Sequence, residues 1–212
     1  MDLILAFDTS AAHCAAALLS GERCLTRIEP MATGQAERLL PLLEELLADA
    51  DATWSDLVAI GTGTGPGNFT GTRIGVAAAR GLALGLGIPA VGVTVFEALA
   101  LGQDCTVVQN ARRGMVYAQP FSGGQAAAAP VMVEADTPLP FETGGVMVGN
   151  MADALAPRHG ALTAAPLHAL PGAIARIARA RFATVTDRPA PLYLRPADAA
   201  PPREGPVPIL QG

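Results

Sequence analysis

The sequence predicts an α/β protein, with mixed sheets covered by helices, in two halves of which the second is a shortened counterpart of the first. Three observations lead there. The opening run Leu3-Ile-Leu-Ala-Phe7 is apolar at every position, as in a strand buried on both faces. After three strands, helical and strand-like segments alternate, the pattern of a sheet with helices packed against it. Between the strand at 57–60 and the next helix stands Gly61-Thr-Gly-Thr-Gly-Pro-Gly-Asn-Phe-Thr-Gly-Thr-Arg-Ile-Gly75. Glycine suits positions where φ is positive or another backbone comes close, and Pro66 stiffens the bend.

Taken in order, the first strand ends in the polar turn Asp8-Thr9-Ser10. Residues 14–19 and 23–28 are the next two strands, and their short turns make an antiparallel meander. Residues 35–50 are helical. There Ala36, Leu39, Leu40, Leu42, Leu43, Leu46 and Leu47 cover roughly 160° of arc, against roughly 100° for a helix that faces one core. Pro41 should bend this helix or delay its start. The helix at 72–86 sets Gly71, Gly75, Ala78 and Ala79 on neighbouring turns, so that another helix can approach closely. A strand at 88–93 and a helix at 94–101 complete a βββαβαβα unit over residues 1–103. From Cys105 onward shorter strands at 106–109, 115–119, 131–133 and 144–149 and short helices at 151–156 and 173–182 form a reduced second lobe, residues 104–195. Residues 196–212, with five prolines, are expected to be a disordered tail.

Composition narrows the function. The charged fraction of 16% is below the usual value of about 25%. The net charge of −5 speaks against a free-standing nucleic-acid binder. Cys14, Cys24 and Cys105 are scattered, without a Cys-x-x-Cys pair, as expected in a reducing cytosol. No signal peptide and no run of 18 apolar residues is legible, so a cytoplasmic protein is expected. The chain has no lysine, which rules out a P-loop and a lysine nucleophile. Thr70 stands where a dinucleotide fingerprint needs glycine or alanine. The Gly-rich turn is thus either an anion cradle at a helix N-terminus or a device for tight strand-to-helix packing.

Asp8-Thr-Ser10, Gln35-x-x-Arg-Leu-Leu-Pro41, Gly65-Pro-Gly-Asn-Phe-Thr-Gly-Thr-Arg-Ile-Gly75, Asn110-Ala-Arg-Arg-Gly-Met-Val-Tyr117 and Pro191-Leu-Tyr-Leu-Arg195 together resemble the YeaZ-type (TsaB) family of bacterial tRNA threonylcarbamoyladenosine synthesis. The matches run from residue 3 to residue 195. Asn68 departs from the serine common before Phe in the third block, and Asn110 from an aspartate. The resemblance implies an actin/hexokinase/Hsp70-like (ribonuclease H-like) duplicated fold, with a degenerate second lobe. Asp8, Thr9, Ser10, Gly65 and Gly67 would then be vestigial nucleotide contacts.

The catalytic relative, TsaD, holds a metal through a His-x-x-x-His pair on one helical face. Here the matching segment is Thr94-Val-Phe-Glu-Ala-Leu99, which puts Val95 and Leu99 at the ligand positions and leaves Glu97 as a lone carboxylate. His13, His159 and His168 have no ligand spacing. The resemblance therefore implies a noncatalytic scaffold, with no catalytic or metal-binding residue. Such a chain binds a TsaD-type subunit that transfers threonylcarbamoyl to N6 of adenosine 37 in tRNAs reading ANN codons. Leu39, Leu43, Leu46, Arg73, Ile74, Val76, Ala77, Arg80 and Leu84 are the core or interface candidates. No cofactor is expected on the chain alone, with ADP or ATP at the interface of the complex. Further expected partners are a TsaE-type ATPase, tRNA and, in isolation, a second copy of the chain. Arg176, Arg179, Arg181, Arg188 and Arg195 make the C-terminal third the basic region where RNA contact is expected. The rival readings are a small-molecule kinase or ATPase of the same superfamily, which needs Mg²⁺ carboxylates from both lobes, and a metalloprotease, for which His-Glu-x-x-His is missing.

Overall fold

The computed structural model describes residues 2–143 and 145–194. The strands β1 (Leu3–Asp8), β2 (His13–Ser20) and β3 (Arg23–Pro30) form the antiparallel meander. On the other side of β1, β4 (Leu57–Gly63) and then β5 (Ala90–Val93) pair in parallel, giving the order β3-β2-β1-β4-β5. The two faces of β1 explain its unbroken apolar run. Leu5 and Phe7 pack with α1 (Gln35–Ala48) and α2 (Phe69–Leu86), while Ile4 and Ala6 face a different core.

α1 begins at Gln35 and runs through Pro41, so the proline does not delay its start. Five leucines hold the helix down: Leu39, Leu42, Leu43, Leu46 and Leu47 are all buried against the sheet. Each contributes about 2 kcal/mol of apolar burial, more than one missing backbone bond costs.

The second sheet has the order β11-β10-β6-β7-β8, built from β6 (Cys105–Arg112), β7 (Met115–Ser122), β8 (Gln125–Ala126), β9 (Val131–Glu134), β10 (Val146–Val148) and β11 (Leu162–Ala164), with β9 also on β7. β6 and β7 are antiparallel, and β10 is parallel to both β6 and β11. This repeats the pairing of β1, β2, β4 and β5. Where the first half inserts α1, the second has no helix among the described residues between β9 and β10, and α4 (Ala152–Leu155) is a single turn continued by the 3-10 segment Ala156–His159. The fold is therefore the actin-like duplication with a degenerate second lobe. Strands β8 and β11 were not among the expected elements. At two and three residues, neither carries enough pattern to register in sequence.

Helices pack across the expected division at residues 103/104. α5 (Leu170–Arg181) lies on the Ile4/Ala6 face of the first sheet, where Ala173, Ile174, Ile177 and Ala178 join the core. Conversely α3 (Val95–Ala100) sends Phe96 and Ala100 into the core of the second sheet. Each half supplies the last helix that the other half's sheet requires. Gly61 allows the approach of α5, since a Cβ there would press on Ala178 and Ile174 at 3.0 Å. The proline-rich stretch at 196–212 and Arg195 lie outside the described residues.

Candidate functional site: the interlobe cleft and the open face of α2

A cleft of about 1350 Å³ opens between the two sheets. Its floor is the turn after β1, set against the Gly-rich segment before α2. Asp8 is fully buried, and its Oδ1 accepts from the Ser10 backbone N–H at 3.0 Å and meets His13 Nε2 at 2.7 Å. The Thr9 hydroxyl donates to the Gly71 carbonyl at 2.6 Å. The glycines make this contact possible. A Cβ on Gly63 would overlap Asp8 Oδ2, one on Gly67 the Ser10 carbonyl, and one on Gly71 the Thr9 carbonyl. Asn68 caps α2, its Oδ1 accepting from Gly71 N at 3.0 Å, so asparagine does at this position what a serine would do.

Of the expected nucleotide contacts, Ser10 and Gly67 line the cleft; Asp8 and Thr9 pack against the Gly-rich segment, and Gly65 lies beside Thr72 and the Leu192 carbonyl. Val95 and Leu99 both line the cleft, placing hydrocarbon where the resemblance sets metal ligands. Among the described residues no three His, Cys, Asp or Glu side chains converge. Glu97 is not a lone carboxylate. Its Oε2 accepts from the backbone N–H of Thr94 at 2.9 Å, closing a capping box, and its Oε1 pairs with Arg181 at 2.7 Å.

The interface candidates separate into two groups. Leu39, Leu43 and Leu46 are buried in the isolated chain in the core on β1, β2 and β4, and Val76 is buried as well. Ile74 is half-buried. Arg73, Ala77, Arg80 and Leu84 are exposed along one stripe of α2, with Leu84 at 82%. Leu40 of α1, 46% exposed, was missed as a free surface group; the leucine stripe of α1 hides it in sequence.

The C-terminal arginines have structural employment. Arg176 donates to the Gly172 carbonyl, Arg179 to the Gly21 carbonyl, and Arg181 pairs with Glu97. Arg179 and Arg181 tie α5 to the β2–β3 turn and to α3, whereas the Arg176 bond stays within α5. On the far side of the cleft, polar groups come from the β6–β7 hairpin and from the residues after β10: Gln109, Asn110, Arg112 and Asn150. Across from them the segment at 192–194 closes the rim. Leu192 N donates to Thr64 O at 2.8 Å. Tyr193 sits 5.2 Å from Phe69, ring centroid to centroid, and accepts from Arg73 Nε at 2.7 Å. The Arg73 guanidinium lies 3.7 Å over the Phe69 ring. No helix among the described residues is long and apolar enough to cross a membrane.

Residues 29–133 match the family described as "TsaD: tRNA N6-adenosine threonylcarbamoyltransferase". Uncharacterized proteins of Mycobacterium bovis and Mycobacterium tuberculosis are 36% identical over 209 residues, covering 93% of this chain and 94% of theirs. Among solved structures, "YeaZ from Pseudomonas aeruginosa" is similar with a TM-score of 0.73 and 30% identity, over 92% of this chain and 100% of that one. A second structure, described as an uncharacterized protein with similarity to peptidase YeaZ from Pseudomonas aeruginosa, has the same TM-score and 28% identity.

Proposed function

The chain belongs to the YeaZ (TsaB-type) family, and from that premise we propose that it is the noncatalytic subunit of a tRNA threonylcarbamoyladenosine machinery. In this role it docks a TsaD-type subunit through the exposed stripe of α2 and supports threonylcarbamoyl transfer to N6 of adenosine 37 in tRNAs reading ANN codons. The observation that carries the reading is the stripe itself. Ala77, Gly81, Leu84 and Gly85 leave α2 small or apolar on its solvent side, beside the charges of Arg73 and Arg80. A helix face of that kind accepts another helix at short distance.

Two features support a noncatalytic role. Val95 and Leu99 offer no donor to a metal ion. The Asp8 carboxylate, which a kinase of this fold would need for Mg²⁺, is fully buried and engaged by Ser10 and His13. The same stripe on a second copy would give a two-fold homodimer when the partner is missing. A TsaE-type ATPase and tRNA are further partners of the assembled complex, with ADP or ATP at its interface, and the machinery is cytoplasmic.

The test is co-purification with the TsaD-type subunit of the same organism. The unaltered chain is retained and restores tRNA modification to that subunit, while Leu84→Glu or Ala77→Glu is not retained. Retention of both variants with unchanged affinity moves the interface off α2. Modification of tRNA by the purified chain alone ends the noncatalytic reading.

A further inference from the structure

A groove of about 450 Å³ lies away from the interlobe cleft, where the C-terminal half of α2 meets residues 185–189. Its floor is apolar, with Leu84 from the helix, Ile88 from the turn that follows, and Val185 and Pro189 from the segment after α5. Backbone bonds fix both sides. Ile88 N donates to Ala83 O at 3.1 Å, and Val185 N to Arg181 O at 2.9 Å. Arg80 enters the lining from the helix and Arg188 from the facing segment. Both are exposed, and among the described residues neither has a hydrogen-bond or ion-pair partner, whereas Arg27, Arg38 and Arg181 are paired with acids. Asp187 is the one acid of the lining, so the groove keeps a positive balance. The same end of α2 also presents acceptors. The carbonyls of Leu84 and Gly85 look to residues 88 and 89 for their helical donors, but Ile88 N–H is given to Ala83 and Pro89 has none. Beside them Gly81 and Gly87 leave the backbone open, since a Cβ at either would meet nothing within 4 Å.

We propose that this groove takes an extended acidic segment of another protein. An aliphatic side chain of that segment lies on the floor made by Leu84 and Val185, its carboxylates meet Arg80 and Arg188, and its backbone N–H groups meet the carbonyls that α2 leaves without helical donors. Charge complementarity selects this occupant. The chain carries a net charge of −5 and repels acidic segments in general, so two unpaired guanidinium groups facing each other over hydrocarbon fix where one can land. Other ligands use less of the site. A fatty-acid anion engages the floor and the arginines but brings no N–H donor to the carbonyls. A nucleic acid brings phosphates, yet the lining has no aromatic side chain on which a base could stack. The groove shares Arg80 and Leu84 with the open stripe of α2, while Val185 and Arg188 lie off that helix. The site therefore stands whether or not a TsaD-type subunit docks on the stripe.

The full chain is titrated into a fluorescein-labelled, end-capped peptide in which a leucine–isoleucine pair is flanked on each side by glutamates. The anisotropy should rise and saturate below about 1 mM protein, and the binding should weaken as salt is added. Exchanging the glutamates for glutamine, or the aliphatic pair for serine, should weaken it by about tenfold. Arg188→Ala should do the same without moving the melting temperature, because the residue is exposed. Arg23→Ala, which removes an equally exposed arginine on β3, should leave the affinity unchanged. Absence of saturable binding up to about 1 mM protein overturns the proposal. Equal binding of the glutamine peptide does so too, and so does an equal loss in Arg188→Ala and Arg23→Ala. Binding that appears only after removal of residues 196–212 assigns the groove to that segment of the chain. A dimer that the peptide splits into monomers, read by light scattering, assigns it to a second copy. Either of these last results overturns an outside partner.

Discussion

Arg181 and Glu97, 84 positions apart in sequence, meet at 2.7 Å and tie the last helix of one half to the last helix of the other. Glu97 serves twice, since its second oxygen closes the N-terminus of α3 through Thr94. Glu97→Ala removes both and should lower stability by about 1–2 kcal/mol, most of it from the cap, because the ion pair is partly solvated. Glu97→Gln keeps a capping oxygen and should cost clearly less. Urea midpoints of the two variants measure the split.

Charge on α2 should act differently on its buried and its exposed side. Val76→Glu puts a carboxylate beneath the helix at a position 4% exposed, and should destabilise the fold by on the order of 4 kcal/mol. Leu84→Glu, at 82% exposed, should leave the melting temperature within a degree or two and affect only partner capture. Thermal melts of both proteins, run beside the capture assay, separate the two positions.

Glycines of the same helix and its approach should likewise divide. Gly63→Ala and Gly71→Ala force a methyl into Asp8 Oδ2 and the Thr9 carbonyl, and should cost about 1–3 kcal/mol or more. Gly81→Ala and Gly85→Ala meet nothing within 4 Å and should stabilise the isolated chain by about 0.5–1 kcal/mol. If a partner helix sits tightly on that stripe, the same two substitutions weaken its capture. Denaturant unfolding and co-purification report the two effects separately.

The thiols give a pH signature. Burial pushes the Cys14 and Cys105 thiols up to about 11, with neighbouring carboxylates Glu29 and Asp104 adding to the effect. A thiol whose folded pKa lies above its unfolded value of 9.0 stabilises fully below that value. The contribution is lost as pH rises through the folded value. The urea midpoint should therefore fall between pH 9 and pH 11, and the fall should shrink in Cys14→Ala and Cys105→Ala. At pH 8 a thiol reagent should label half-buried Cys24 first, and the other two only after unfolding.

Much of this architecture was legible because it rests on local pattern. The run from Leu3 to Phe7 had to be a strand covered on both sides, and the alternation up to residue 100 gave the first half element by element. Two things were hidden. Leucines at 39, 43 and 46 carry the same periodicity whether they face a sheet or a partner, so core and interface separated only when β1, β2 and β4 were seen beneath them. The arginines of α5 read as a basic patch because their acceptors, the Gly21 carbonyl and Glu97, lie far away in sequence. The glycine turn also holds a packing relation. Its spacing records the contour of residues 8–10 pressed against it, a relation between distant segments that no local window contains.

The exchange of α3 and α5 has a consequence for synthesis. The first sheet is complete once residue 93 has emerged, yet its Ile4/Ala6 face stays bare until α5 follows almost ninety residues later. During that interval the nascent chain displays a greasy plane that only its own far end can shield. A premature stop between residues 93 and 170 thus releases a fragment primed to clump.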